Sequence, residues 1–158
     1  MVRKKILLIG DFNVGKTSLI RRYVDNSFDE KYLTTIGVKI SKKCLTIEGL
    51  ECELLIWDVE GQTPHKRIPH SYLKGASGAI FVADVNRSET IEGIDAHITT
   101  FLSINPHSKY VIAYNKADLL TAQQQEMLSL SGDIFLTSAK ENLNVERLFI
   151  TLAKEMLL

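Results

Sequence analysis

The chain has little cysteine, no excess of charge of either sign and no long apolar run. Its two cysteines, Cys44 and Cys52, are too few for a disulfide framework. They flank a hairpin turn expected near Gly49, and the reading is free buried thiols in a reducing compartment. Lysine plus arginine equals aspartate plus glutamate at 19 each. A zero formal charge gives no argument for nucleic acid as a partner or for a polybasic membrane anchor. No apolar run is long enough for a membrane span or a signal peptide. Met1-Val2-Arg3 lacks the glycine that myristoylation needs, and no lipid-accepting cysteine lies near Leu157-Leu158. The expectation is a cytoplasmic monomer with no intrinsic membrane anchor, which reaches membranes only through partners unless a lipidated tail follows Leu158. Linkers, repeats and low-complexity stretches are also absent. A length of 158 residues suits one domain over 1–158 with a sizeable core.

What is present is alternation. Apolar runs at Lys4–Ile9, Ala79–Asp84, Tyr110–Asn115 and Ile134–Thr137 read as strands separated by helical segments. Val38–Ile47 and Cys52–Trp57 follow each other directly and read as an antiparallel hairpin at a sheet edge. Ile91, Ile94, Ile98, Phe101 and Leu102 form one helical stripe. Val145, Leu148, Phe149, Leu152 and Met156 form another, with Asn144 as its expected N-cap. A short helix is expected over Ala122–Leu130. The pattern predicts an α/β fold: a six-stranded, mostly parallel sheet with one antiparallel edge hairpin and helices on both faces, three layers in all.

The chemistry sits at strand ends. Gly10-Asp11-Phe12-Asn13-Val14-Gly15-Lys16-Thr17 fits the phosphate-loop pattern G-x-x-x-x-G-K-S/T at every fixed position. It follows the strand-like run Ile6–Ile9 and precedes the helix-like segment Ser18–Val24. A strand, a tight turn and a helix start make an anion site: backbone N–H groups point inward and the helix dipole adds positive potential. Lys16 reaches β- and γ-phosphates, and Thr17 offers a hydroxyl to Mg²⁺. Asp58 closes the run Glu53–Trp57, where a second Mg²⁺ anchor belongs in an open α/β sheet. Asn115-Lys116-Ala117-Asp118 and Ser138-Ala139-Lys140 end two later strands. These are the N-K-x-D and S-A-K signatures of guanine recognition. A carboxylate accepts two hydrogen bonds from guanine N1–H and the 2-amino group, whereas adenine would leave that acid unsatisfied.

Together with Thr35-Ile36-Gly37-Val38, Trp57-Asp58, Gly61-Gln62 and Ser71–Ala76, these segments resemble the Ras superfamily of small GTPases, and most of all its Rab branch. The resemblance runs from about Lys4 to about Met156. It implies a P-loop GTPase fold, the G domain, that binds GTP or GDP with Mg²⁺. Asn13, Val14, Gly15, Lys16 and Thr17 are implied to cradle the phosphates, with Ser18 beside them. Thr17, Thr35 and Asp58 are the implied metal residues. Gly61 is implied to sense the γ-phosphate, Tyr32 to close over the phosphates and Phe28 to pack edge-on against guanine. Asn115, Lys116, Asp118, Ser138, Ala139 and Lys140 are the implied base contacts. Gln62 is implied to orient the attacking water, with Lys16 and Thr35 completing the catalytic set. Effectors, an exchange factor and a GTPase-activating protein are implied partners, through Lys31–Gly37 and Gly61–Tyr72.

Departures from that pattern bear on hydrolysis. Phe12 stands where the family has a small residue facing the γ-phosphate, and Glu60 where it has alanine or glycine. Lys39-Ile40 replace an acidic-aromatic pair. Pro64 and Pro69 interrupt the second switch, because proline resists a helix interior. Two function classes compete: a switch that hydrolyses GTP slowly, and a guanine-nucleotide-dependent interaction module with little or no hydrolysis. The four histidines, His65, His70, His97 and His107, read as surface residues.

Overall fold

The computed structural model describes residues 1–28, 37–59, 68–128 and 130–158. The strands are β1 (Val2–Ile9), β2 (Val38–Ile47), β3 (Leu50–Val59), β4 (Gly78–Asp84), β5 (Lys109–Asn115) and β6 (Ile134–Leu136). The helices are α1 (Lys16–Asp25), α2 (His70–Leu73), α3 (Ser88–Glu92), α4 (Ile94–Ile104), α5 (Ala122–Glu126) and α6 (Val145–Leu157). The six strands form one sheet in the order β2-β3-β1-β4-β5-β6. β2 and β3 pair antiparallel, and every other pairing is parallel. This is the expected α/β architecture with its antiparallel edge hairpin.

Burial follows strand position. β4, in the middle of the sheet, is buried at every residue from Gly78 to Asp84. A strand covered on both faces reads as a near-continuous apolar run, here Ala79 to Ala83, with Asp84 at its carboxyl end. β2 at the edge is mostly exposed or half-buried instead. Along β1 successive side chains enter opposite layers, as the two-residue period requires. Ile6 and Leu8 join Leu19, Tyr23, Leu148 and Phe149 beneath α1 and α6. Leu7 and Ile9 join Leu73, Ile94 and Phe101 beneath α2 and α4. Two apolar layers, one on each side of a single sheet, give the three-layer arrangement.

The hairpin between β2 and β3 turns at Glu48 and Gly49, with φ of 48° and 83°. Positive φ at both central residues matches the right-handed twist of the paired strands, and glycine adopts it without a side-chain penalty. Ile47 faces Leu50 across the turn, and Leu45 faces Cys52. That register splits the two thiols. Cys52 is buried, whereas Cys44 is exposed on the edge strand, which corrects the expectation that both are buried.

Three further expectations are corrected. The stripe from Ile91 to Leu102 belongs to two helices, α3 and α4, which meet at Gly93. Asn144 precedes α6 but does not cap it with its side chain. Its φ is 55°, and its amide instead donates to the Leu136 carbonyl at 2.9 Å, tying the helix to β6. The helix expected over Ala122–Leu130 is there from Ala122, but as α5 it ends at Glu126. Thr121 and Gln124 start it with a reciprocal capping box. Pro69 stands just before α2, where a missing N–H does no harm. Among the described residues no helix is long and apolar enough to cross a membrane.

Candidate functional site

The loop from β1 to α1 is built around two positions that exclude side chains. A Cβ on Gly10 would lie 2.3 Å from the Val82 carbonyl oxygen on β4. Gly15 has φ of +100°, and a Cβ there would lie 2.3 Å from Asn115 Nδ2. Both approaches are far inside van der Waals contact. They press the loop against the carboxyl ends of β4 and β5, where open α/β sheets form their ligand crevices.

Lys16 opens α1 and is 6% exposed. Its ammonium folds back over the loop, donating to the Gly10 carbonyl at 2.7 Å and reaching the Asp11 carbonyl at 3.4 Å. Burial lowers its pKa to about 8, with the charges of Asp58 and Asp11 acting in the opposite direction. A cation so desolvated gains when an anion enters the loop beside it. Thr17 Oγ1 donates to Asp58 Oδ2 at 2.6 Å, joining the first turn of α1 to the end of β3. A hydroxyl and a carboxylate are hard oxygen donors. That donor set suits Mg²⁺ rather than a softer cation.

The two base-recognition segments attach directly to the same loop. Asn115, at the end of β5, donates from Nδ2 to the Val14 carbonyl at 3.0 Å across 101 positions of sequence. Its Oδ1 accepts from Thr137 Oγ1 at 3.0 Å. Lys116 has φ of 64°, and its ammonium donates to the Asn13 carbonyl at 2.7 Å. Asp84 holds the same ammonium from β4 at 3.3 Å. Ser138 donates to Asp118 Oδ1 at 2.6 Å, fixing the carboxylate that the sequence assigns to guanine. Arg22 on α1 donates to the Ala139 carbonyl at 2.8 Å and to the Lys140 carbonyl at 3.0 Å. Ser18 lies beside Thr17 in the first turn of α1. Phe28 is half-buried against the α1–α6 layer.

Asn13, Val14, Gly15, Lys16, Thr17, Asn115, Lys116, Asp118, Ser138 and Ala139 are thus gathered at one end of the sheet. Tyr32, Thr35, Gly61, Gln62 and Glu60 lie outside the described residues, as does most of Lys31–Gly37 and of Gly61–Tyr72. Of the departures, Phe12 is on the loop and 43% exposed, and its carbonyl accepts from Arg87 at 2.9 Å.

Several supporting residues went unread in the sequence. Asp84 had a signal, because it is an acid at a strand's carboxyl end, as Asp58 is. Thr137, Arg22, Arg87 and His97 had none, since each reaches the site only through tertiary contact. His97 corrects the surface reading of the histidines: its Nε2 lies 3.0 Å from Asp11 Oδ1 with its side chain only 24% exposed.

Comparison with known proteins agrees with this geometry. The Ras family profile matches residues 5–158. The chain is 33% identical to the Ras-related protein Rab-13 of Canis lupus familiaris over 162 aligned positions, covering 98% of this chain and 80% of that protein. It is 37% identical to the Ras-related protein SEC4 of Saccharomyces cerevisiae over 160 positions, covering 95% of this chain and 73% of that protein. The chain belongs to the Ras family and is a Rab-like small GTPase.

Proposed function

We propose that this chain is a guanine-nucleotide switch that binds GTP and GDP with Mg²⁺ and hydrolyses GTP slowly. The observation that carries the reading is the direct bonding of base-recognition residues to the phosphate loop. Asn115 and Lys116 hold the carbonyls of Val14 and Asn13. A ligand that fills both ends must be a purine nucleotide with a phosphate chain. Asp118, braced by Ser138, selects guanine over adenine.

The remaining roles follow from donor chemistry. Lys16 and the N–H groups of Asn13 to Thr17 bind phosphate oxygens. Thr17 and Asp58, with Thr35, would hold Mg²⁺, which neutralises charge on the phosphates. Gln62 orients the attacking water, and Gly61 senses the γ-phosphate. Loss of that phosphate releases the two segments that meet effectors, the exchange factor and the activating protein. The protein acts as one G domain and as a monomer.

A second reading, a nucleotide-dependent binding module with little hydrolysis, is favoured by one observation. Phe12 puts an aromatic side chain on the phosphate loop. Single-turnover hydrolysis separates the two readings: a measurable rate supports the switch, and none supports the module.

Specificity is tested independently of hydrolysis. The purified protein should release GDP or GTP on denaturation and bind GTP far more tightly than ATP. Asp118→Asn should weaken guanine nucleotides and favour xanthine nucleotides, because part of the acceptor becomes a donor. Equal affinity for ATP and GTP in the unaltered protein would overturn the reading.

A further inference from the structure

His97 belongs to none of the nucleotide motifs, yet its ring reaches the phosphate loop from α4. Its Nε2 is 3.0 Å from Asp11 Oδ1, and the two side chains are 24% and 28% exposed. Asp11 follows Gly10 at the start of the loop. Its carbonyl lies 3.4 Å from the Lys16 ammonium, and the carboxylate's charge acts on that ammonium as well. Gly93, at the head of α4, stands alongside: a Cβ there would lie 3.7 Å from Asp11 Oδ2. An imidazole, a carboxylate and an ammonium therefore stand in sequence, with the ammonium inside the loop that receives phosphate.

The carboxylate is the awkward member. It has the sign of the ligand, and its charge bears on the same ammonium. A proton on His97 changes both terms. It makes the contact a charge-assisted hydrogen bond, and it offsets the negative charge beside the loop. Imidazole is the side chain whose charge changes between about pH 5 and 8.

We propose that His97 is a positioning residue for the phosphate loop and that its protonation tightens the hold of the loop on nucleotide phosphates. The inference rests on the guanine-nucleotide reading above. The elements packed against α4 carry other titratable groups, among them Asp84 at the end of β4, which is engaged with Lys116 at 3.3 Å. Arg87 and Glu89, at the start of α3, are engaged with each other at 3.2 Å. α2, which packs against α4, carries His70 and Tyr72. Glu92 and Asp95 flank Gly93 near the head of α4. Among the described residues, Asp11 is the side chain that bonds the His97 ring.

The test is the release of a fluorescent GDP analogue from wild type, His97→Gln and Asp11→Asn between pH 5.5 and 8, at fixed salt and Mg²⁺. Titration of the nucleotide itself is common to all three proteins. Relative to His97→Gln, wild type should release GDP about two- to five-fold more slowly at pH 5.5 than at pH 8, the range of a partly exposed charge pair. Asp11→Asn should track His97→Gln in its pH dependence, and it keeps the test open if that variant fails to fold. Coincident profiles for wild type and His97→Gln, with GDP bound throughout, would overturn this inference alone. Failure to bind guanine nucleotide at any pH would overturn the nucleotide reading as well.

Discussion

Gly10 and Gly15 are both glycines of the phosphate loop, but they fail differently when enlarged. A Cβ at Gly10 meets the main-chain carbonyl of Val82 at 2.3 Å, and a carbonyl inside a central strand has nowhere to go. Gly10→Ala should therefore cost stability even without nucleotide, on the order of 1–3 kcal/mol for an overpacked core site. A Cβ at Gly15 meets a side-chain amide, Asn115 Nδ2, also at 2.3 Å. That amide can swing away, but only by breaking its bond to the Val14 carbonyl. Gly15→Ala should thus lose guanine-nucleotide affinity more than it loses stability, beyond the strain of φ at +100°. Thermal melts of the nucleotide-free proteins and GDP titrations together check this. Equal losses of stability in the two variants would contradict the distinction.

At the scale of elements, α1 and α6 are joined by an aromatic stack as well as by the sheet beneath them. The rings of Tyr23 and Phe149 lie 4.2 Å apart and 5° from parallel. Burial pushes the Tyr23 phenol up to about 12 from 10.0, with the charges of Glu146 and Cys52 adding to the effect. The folded state thus holds this proton more tightly than the unfolded chain does. The stability it represents is intact below pH 10 and is lost as the pH rises toward 12, on the order of 2–3 kcal/mol. Tyr23→Phe has no proton to lose. The difference in unfolding free energy between wild type and Tyr23→Phe should shift by that amount across the window, measured by urea denaturation at stepped pH. A constant difference would show that the phenol is not desolvated.

Element type was readable in the sequence wherever one pattern dominated: β4 is apolar from Ala79 to Ala83, and α6 repeats Val145, Leu148, Phe149 and Leu152 on its buried face. The break at Gly93 was not readable, because the stripe from Ile91 to Leu102 continues across it. The true role of Asn144 was hidden for a different reason. Asparagine suits both an N-cap and a left-handed turn, and only the position of the Leu136 carbonyl decides between them. The site residues within motifs were legible because each motif is a local chemical pattern. His97 and Arg22 were not, because their partners lie 86 and 117 positions away.

For the whole molecule, the proposed slow hydrolysis sets the residues that would hold the nucleotide against those that would hinder its cleavage. β1, β3, β4 and β5 bring Lys16, Thr17, Asp58, Asn115 and Lys116 to one end of the sheet, so nucleotide capture is well provided for. Phe12 adds bulk on the same loop and is 43% exposed. A ring at the γ-phosphate would crowd the water held by Gln62 and any arginine supplied by a partner. In this family such an arginine is worth about 10³–10⁵ in rate. Glu60 follows Asp58 by two positions in the sequence. A carboxylate about 5 Å from a phosphate charge costs on the order of 3 kcal/mol at an effective dielectric of about 20, part of which Mg²⁺ would offset. On the proposed reading the two residues would act on different terms, one on access and one on charge, and both would slow hydrolysis. Replacing them together, Phe12→Gly with Glu60→Ala, should raise the single-turnover rate of GTP hydrolysis. A fall to almost nothing would instead make Glu60 a participant in the chemistry. An unchanged rate would assign both residues to structure or to partner recognition, and the slow step would then have to lie in the positioning of Gln62.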